Sequence, residues 1–325
     1  MSVLTEFAQI IINGLKEKKK NGRPLADSSI NLYIRNLEKL NDNIPIRNLK
    51  FLEDIDEVKN KLSNYKPNTY RNFLISIVSA LSVVKNENKK NKKLYDDYYK
   101  MMMDINKQLK EEPMGQMSET QKENWVTMEE IKKVLNELEN KVNKFKDYKE
   151  IGLTQYNVLL DYVILSIYIL IQPRRNADYQ KMNIIKGPVP IDSSVNYYDA
   201  DNGIFIFNCF KTSKTKGQQE KEIPDDLKNI LDIYLKHHPL YKKVKQNKTV
   251  NVPFLVHFDG EPFKHANSIT LILNRMFSPK KVGSSLLRHI YLSEKYGDIL
   301  KSQIEDAEAM AHSVDTQRSS YIKFD

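Results

Sequence analysis

Apolar side chains recur at three- and four-residue steps through the first third of the chain: Phe7, Ile10 and Ile11, then Ile30, Tyr33, Ile34, Leu37 and Leu40, then Tyr70, Phe73, Leu74, Ile77, Val78 and Leu81. That is the period of helices burying one face. It predicts a small helical bundle from Val3 to about Glu112. Asp27 or Ser28 is expected to cap the second helix, and Pro67-Asn68-Thr69 to open the third in the same manner, with side-chain oxygens accepting orphan backbone N–H groups. From Glu111 to Thr120 the chain is polar, holds Pro113 and Gly115 and has no apolar period, so residues 113–123 read as a linker.

The period resumes near Asn124. Thr127-Met128-Glu129-Glu130 has the N-cap and acidic first turn of a helix. Val158 to Ile171 is the most apolar stretch, broken by Asp161 and Ser166. It falls short of the run of about 18 residues needed to span a bilayer, so a buried helix is predicted at 156–171. Strand chemistry follows: Gly203 to Phe210 is rich in Ile and Phe, and a Lys/Gly/Gln stretch separates it from Lys221-Glu222-Ile223-Pro224. A hairpin with a basic tip is predicted there. Helices are expected again at 226–236, 266–277, 285–296 and 302–311. The fold class is α+β and mainly helical: an N-terminal helical bundle at 1–112, the linker, and a mixed domain at 124–325 with a small antiparallel sheet.

Composition sharpens this picture in three ways. A chain of 325 residues, 40% of them hydrophobic, can bury the cores of two globular parts. Its net charge is +9, and residues 1–112 hold 21 Lys and Arg against 15 Asp and Glu. A polyanion such as nucleic acid suits that balance through phosphate neutralisation, although charge runs such as Lys16 to Lys20 and Lys89 to Lys93 also mark solvated helix ends. The single cysteine, Cys209, excludes an internal disulfide and a cysteine-rich zinc site, fits a reducing compartment, and reads as a strand packing residue. No secretory signal is evident at the N-terminus, so an intracellular location without membrane insertion is expected.

Candidate chemistry lies at separated points. Arg174 and Arg175 follow the Gln172-Pro173 break that ends the apolar helix. Ser285, Arg288 and Leu292 share one helical face, with His289 pointing elsewhere. A guanidinium keeps its charge at any working pH and binds two oxygens of a phosphoryl group at once, so two converging arginines would stabilise a pentavalent phosphate. Asp178 could hold a guanidinium in place. His312 and Tyr321 are nine positions apart, and a short helix starting near Asp315 could bring both to one centre. His237-His238 stands before Pro239 at a helix terminus, where the dipole favours a cation. The two rings face different ways, and no metal is assigned. Met101-Met102-Met103 and Tyr98-Tyr99 read as packing.

In this order the arginines, His312 and the terminal Tyr321 resemble the tyrosine recombinase (phage-integrase) family. The resemblance covers nearly the whole chain, with 1–112 similar to the helical core-binding domain and 124–325 to the catalytic domain. It implies site-specific DNA strand cleavage and rejoining through a 3′-phosphotyrosyl intermediate, without metal or cofactor, in the integration, excision or resolution of a mobile or viral element. The implied roles are Tyr321 as nucleophile, Arg175 as first arginine with Arg174 as alternative, Asp178 as the following acid, Arg288 as second arginine and His312 as the third-box histidine. The hairpin lysine that protonates the leaving oxygen falls to Lys214, with Lys216 and Lys211 as alternatives. Ser285 stands where the family commonly has His or Lys, and a hydroxyl is a poor general base near neutral pH, so His312, His289 or solvent would take the tyrosine proton. The expected partners are double-stranded DNA, held in a two-domain clamp, and further copies of the chain as a tetramer on DNA. Lys18, Lys19, Lys20 and Arg71 are the candidate DNA contacts in the first domain. A type IB topoisomerase and a catalytically inactive DNA-binding protein of the same fold are the alternatives.

Overall fold

The side chain of Thr5 accepts from Ala8 N at 3.1 Å and starts the first helix. In the computed structural model, which describes residues 4–20, 23–110, 115–188, 191–265 and 267–323, that helix is α1 (Glu6–Glu17), followed by two paired two-residue strands, β1 (Lys19–Lys20) and β2 (Arg23–Pro24). Helices α2 (Asp27–Leu40), α3 (Ile55–Leu62), α4 (Pro67–Val84) and α5 (Lys89–Lys110) complete a first compact unit, Met1–Gln116. Its axis is α4, whose Phe73, Leu74, Ile77, Leu81 and Val84 are buried and which packs against α1, α2 and α5. Gly14 permits the close approach of α1 to α4, because a Cβ there would run into Val83. The buried Tyr98 hydroxyl donates to Leu52 O at 2.8 Å and ties α5 to a 3-10 turn at Lys50–Leu52.

Two expected caps are absent. Ala26 and Lys66 occupy the N-cap positions of α2 and α4 without side-chain hydrogen bonds, and Pro67 takes the first helical position of α4. A proline there loses no helical hydrogen bond, because its missing N–H would have been an orphan.

The second unit, Met117–Asp325, begins inside the stretch read as a linker. Ser118 and Gln121 form a capping box that starts α6 (Glu119–Asn124). Pro113 and Met114 lie outside the described residues. Thr127 and Glu130 cap α7 (Met128–Asn143) as expected, and α8 (Leu153–Ile169) runs through the core with ten buried residues on all its faces. Then come α9 (Asn176–Gln180), β3 (Met182–Lys186), β4 (Asn196–Asp199), β5 (Ile204–Phe207), α10 (Ser213–Lys216), β6 (Gln219–Glu222), α11 (Asp225–His237), α12 (Tyr241–Val244), β7 (Val250–Pro253), α13 (Ser268–Met276), α14 (Ser284–Ala309) and α15 (Val314–Thr316), ending in a π-helical turn at Gln317–Tyr321.

The strands form one sheet in the order β6-β5-β4-β3-β7. It is mixed rather than antiparallel. The chain returns across the sheet between Lys186 and Asn196, so β3 and β4 pair in parallel, Met182 opposite Asn196. The expected hairpin is present as β5 and β6, Phe207 opposite Gln219. Its first strand stops at Phe207 and not at Phe210, because the buried Asn196 amide takes the next backbone groups: its Oδ1 accepts from Asn208 N at 2.8 Å and Cys209 N at 2.7 Å. Cys209 therefore lies beyond the strand. Helices expected at 285–296 and 302–311 are one helix, α14. A single Gly297 costs only about 1 kcal/mol relative to alanine, too little to end a run of good helix formers.

The histidine pair is buried, contrary to its reading as a site that favours a cation. Burial lowers the pKa of both rings. In His238, Nδ1 accepts from Leu240 N and Tyr241 N at 3.2 and 3.0 Å, and burial outweighs nearby backbone carbonyls to push the pKa down to about 4 from the ordinary 6.5. The unfolded chain therefore binds a proton between these values that the native ring does not, and stability falls as pH drops through this window. Asp161, beside Arg275, works in the opposite direction: burial outweighs the guanidinium and raises its pKa to about 6. Its contribution is present at low pH and lost as pH rises through 6. Chemical denaturation of His238→Asn and the parent at pH 7 and pH 4 isolates the first term. The parent is expected to lose on the order of 3 kcal/mol more than the variant.

Candidate functional site

The turn after α8 is held from below by aromatic packing. Tyr179, fully buried on α9, meets Tyr168, Phe205 and Phe207 edge-on at 5.6, 6.1 and 6.1 Å between ring centroids, and its hydroxyl donates to Ile167 O at 3.2 Å. Arg175 is the N-cap residue of α9, with extended backbone and an exposed side chain. Asp178, three residues on, is buried, but it pairs with Arg174 rather than with Arg175: Arg174 Nε donates to Asp178 Oδ2 at 2.9 Å. The same guanidinium donates through Nη1 to Gln219 Oε1 at 2.9 Å. It lies 3.7 Å from the centre of the Phe207 ring and 4.8 Å from that of Phe210. Arg174 is thus used by the fold, which leaves Arg175 as the arginine facing solvent.

The second arginine approaches Tyr168 from α14. Arg288 is half-buried in the second turn, with Nε 3.4 Å from Ser284 O. Tyr168 ties α8 to α9 and, through Asn176, to α13. Its hydroxyl donates to Asn176 Oδ1 at 2.7 Å, and Asn176 Nδ2 donates to Thr270 Oγ1 at 2.9 Å on α13. Burial raises the pKa of Tyr168, Asp178 acts in the same direction, and Ser284 and Arg288 act against it. Asp178, Ser284 and Arg288 therefore all lie close to one phenol. Gly283 lets α14 start against Thr270, whose Cγ2 would sit 3.3 Å from an added Cβ. Ser284 is the first residue inside α14, whose N-cap position is Gly283, and Ser285 and His289 on the same turns are exposed.

The three hairpin lysines, Lys211, Lys214 and Lys216, are exposed at the tip. Lys214 and Lys216 stand on the one-turn helix α10, not on a strand, and Lys211 precedes it. The base of the hairpin is fixed to the arginine turn twice: through Arg174 to Gln219, and through Asn196 Nδ2, which donates to Asp178 O at 2.7 Å and Cys209 O at 3.1 Å.

His312 and Tyr321 meet each other, but not the arginines. Their rings stack with centroids 5.0 Å apart and planes at 19°. Ser313 caps α15, its Oγ accepting from Thr316 N at 3.1 Å, and so turns the chain back toward His312. Ala311 adopts positive φ where α14 ends, and His312 N donates to Ala307 O at 3.0 Å. His312 Nε2 is buried without a partner, whereas Tyr321 is 66% exposed. This pair sits at the far end of α14 from Arg288. At 1.5 Å per residue, the helix from Arg288 to Ala309 separates them by roughly 30 Å. Leu292, Tyr296 and Ile299, on the half of α14 in between, are exposed.

In the first unit Lys18 and Arg71 are half-buried, while the side chains of Lys19 and Lys20 lie outside the described residues. No group of three or more potential metal ligands occurs among the described residues, and none of their helices is long and apolar enough to cross a membrane. Tyr168, Asn176, Asn196, Gln219 and Thr270 were not singled out from sequence. Their only signal there is a polar group inside or beside an apolar run. Comparisons with family models, curated proteins and solved structures found no match.

Proposed function

We propose that the chain is a DNA strand transferase of the tyrosine recombinase type, cleaving through a covalent bond from Tyr321 Oη to a 3′-phosphate. The observation that carries the reading is that Asp178 and Arg288 both act on Tyr168, with Arg175 in the turn three residues before Asp178 and a lysine-bearing hairpin anchored to the same turn. Two guanidinium groups there suit a phosphodiester gaining negative charge. Tyr321 attacks phosphorus, the 5′-oxygen leaves with a proton from a hairpin lysine, and the freed 5′-hydroxyl of a partner strand reverses the step. The stacked His312 is the candidate acceptor for the tyrosine proton. Site-specific recombination of a mobile or viral element, by several copies on duplex DNA, is the corresponding task. Trapping on nicked duplexes tests it: a metal-independent covalent adduct on a denaturing gel is expected, and DNA binding without an adduct on any substrate would favour a non-catalytic DNA-binding protein.

Chemistry within one chain requires α14 to bend, and Tyr296-Gly297-Asp298 is the place. A Cβ on Gly297 would touch nothing, so Gly297→Ala adds about 1 kcal/mol of helix preference to the straight form without a clash. Adduct formation is expected to slow about fivefold, with DNA affinity unchanged. An unchanged rate would show that the straight helix is not the resting state of the reaction.

A further inference from the structure

Helices α7 and α11 both pack against the core helix α8. A cleft of about 400 Å³ lies among the three, and it shares no residue with the strand-transfer site. On α7, Glu139 stands four positions after Leu135 and three before Val142, and Asp226, Asn229, Ile230 and Ile233 follow a similar spacing on α11, so each helix turns one face to the cleft. Tyr162 of α8 lines it and is 6% exposed. The Tyr162 carbonyl accepts from Ser166 Oγ at 2.7 Å, but the hydroxyl has no hydrogen-bond partner among the described residues. Burial first, then the charges of Glu139 and Asp226, push this phenol up to about 12 from its ordinary 10. Both carboxylates therefore lie close to one hydroxyl. Their side chains are exposed, and neither has an ion pair or hydrogen bond among the described residues. The one cation in the lining, Lys146, belongs to the other end. Lys146 O accepts at 2.9 Å from Lys236 Nζ in the last turn of α11, about 15 Å along that helix from Asp226.

We infer that this cleft binds a small primary amine, whose ammonium sits against Glu139, Asp226 and the Tyr162 hydroxyl and whose apolar body lies on Leu135, Ile230 and Ile233. An ammonium has three N–H donors and no acceptor, and two carboxylates with a phenol oxygen meet it with acceptors from three helices. Two carboxylates against one ammonium give the lining a formal charge of −1, which a monocation neutralises and a polyamine would exceed. Leu135 and Ile230 are buried and Ile233 is half-buried, so the walls suit methylene groups. The volume falls within the range of small-molecule sites. Asp226, in the first turn of α11, also complements the helix dipole. That accounts for one carboxylate, but not for Glu139 in the body of α7 or for the unpartnered phenol.

The test is calorimetric titration of the full chain with hexylamine, with 1-hexanol and with N-acetyl-lysine amide as a mimic of a lysine in a protein. It is repeated on Glu139→Gln, Asp226→Asn and Tyr162→Phe, with Glu137→Gln, exposed on α7 outside the lining, as control. Hexylamine is expected to bind with a Kd on the order of 1 mM, and the alcohol at least about tenfold more weakly. Each carboxylate variant is expected to weaken hexylamine about fivefold, Tyr162→Phe about threefold, and the control not at all. The phenylalanine variant should keep the thermal midpoint of the parent, because the hydroxyl it lacks bonds to nothing in the protein, and this separates a lost ligand contact from a damaged fold. Equal binding of amine and alcohol, amine binding that no cleft variant weakens, or no amine binding at all overturns the site. N-acetyl-lysine amide binding as tightly as hexylamine would give the cleft to a lysine of another protein and overturn the small-molecule assignment. None of these readouts involves DNA, so they stand apart from the strand-transfer reading.

Discussion

Replacing Tyr321 by phenylalanine is expected to abolish the covalent protein–DNA adduct while leaving DNA affinity within about twofold. The substitution removes one oxygen from a side chain that is two-thirds exposed, at the end of a turn that it does not support. Stacking on His312 at 5.0 Å survives, because it needs only the ring. Among the described residues at this end, the other hydroxyls are aliphatic. Ser319 and Ser320 are nearby, but an alkoxide is far harder to form than a phenolate near neutral pH. The loss is therefore expected to be complete within the sensitivity of a denaturing gel. Residual adduct in Tyr321→Phe would move the nucleophile elsewhere and remove the main support for the reading.

The largest effect on stability is expected at Arg174. Arg174→Ala leaves the Asp178 carboxylate buried without its cation, strips the guanidinium from the faces of Phe207 and Phe210 and frees Gln219. Breaking one side of a buried pair costs about 3–5 kcal/mol. Chemical denaturation should show a loss of that size. Arg175→Ala one position on, with an exposed side chain, should cost less than about 1 kcal/mol of stability and abolish adduct formation. The opposite pattern, with Arg175 sustaining the fold and Arg174 the chemistry, would exchange their roles. A double variant, Arg174→Ala with Asp178→Ala, should recover part of the stability, because the unpaired charge is gone.

The helical part of this fold was largely legible in the sequence. Ile30, Ile34, Leu37 and Leu40 are buried on α2 as their spacing demands, and the apolar run at 156–171 is the core helix α8. The strands β3, β4 and β7 were not legible. They are four or five residues long, too short for a period-two pattern, and β4 pairs in parallel with β3. Helix ends were misjudged where an expected side-chain cap, as at Asp27, gave way to the packing of the helix as a whole. Within the site, sequence could supply residue types but not partners. It could not show that Asp178 would choose Arg174 over Arg175, since both choices are local and the decision comes from Phe207, Phe210 and Gln219 across the sheet. Nor could it show one unbroken α14, because a glycine inside a helical pattern permits both a bend and continuation.

Both borders of the five-strand sheet discourage further pairing. The strand at one border, β6, reads Gln-Glu-Lys-Glu and is mostly exposed, while β7 at the other ends in Pro253, which has no N–H to offer. Edges armed with charge and proline resist the addition of a neighbouring strand and the aggregation that follows from it. If copies assemble on DNA as proposed, they would meet at high local concentration, where such edges disfavour association by sheet extension. Any contact between copies would then fall to helices and loops, among them the half of α14 that exposes Leu292, Tyr296 and Ile299.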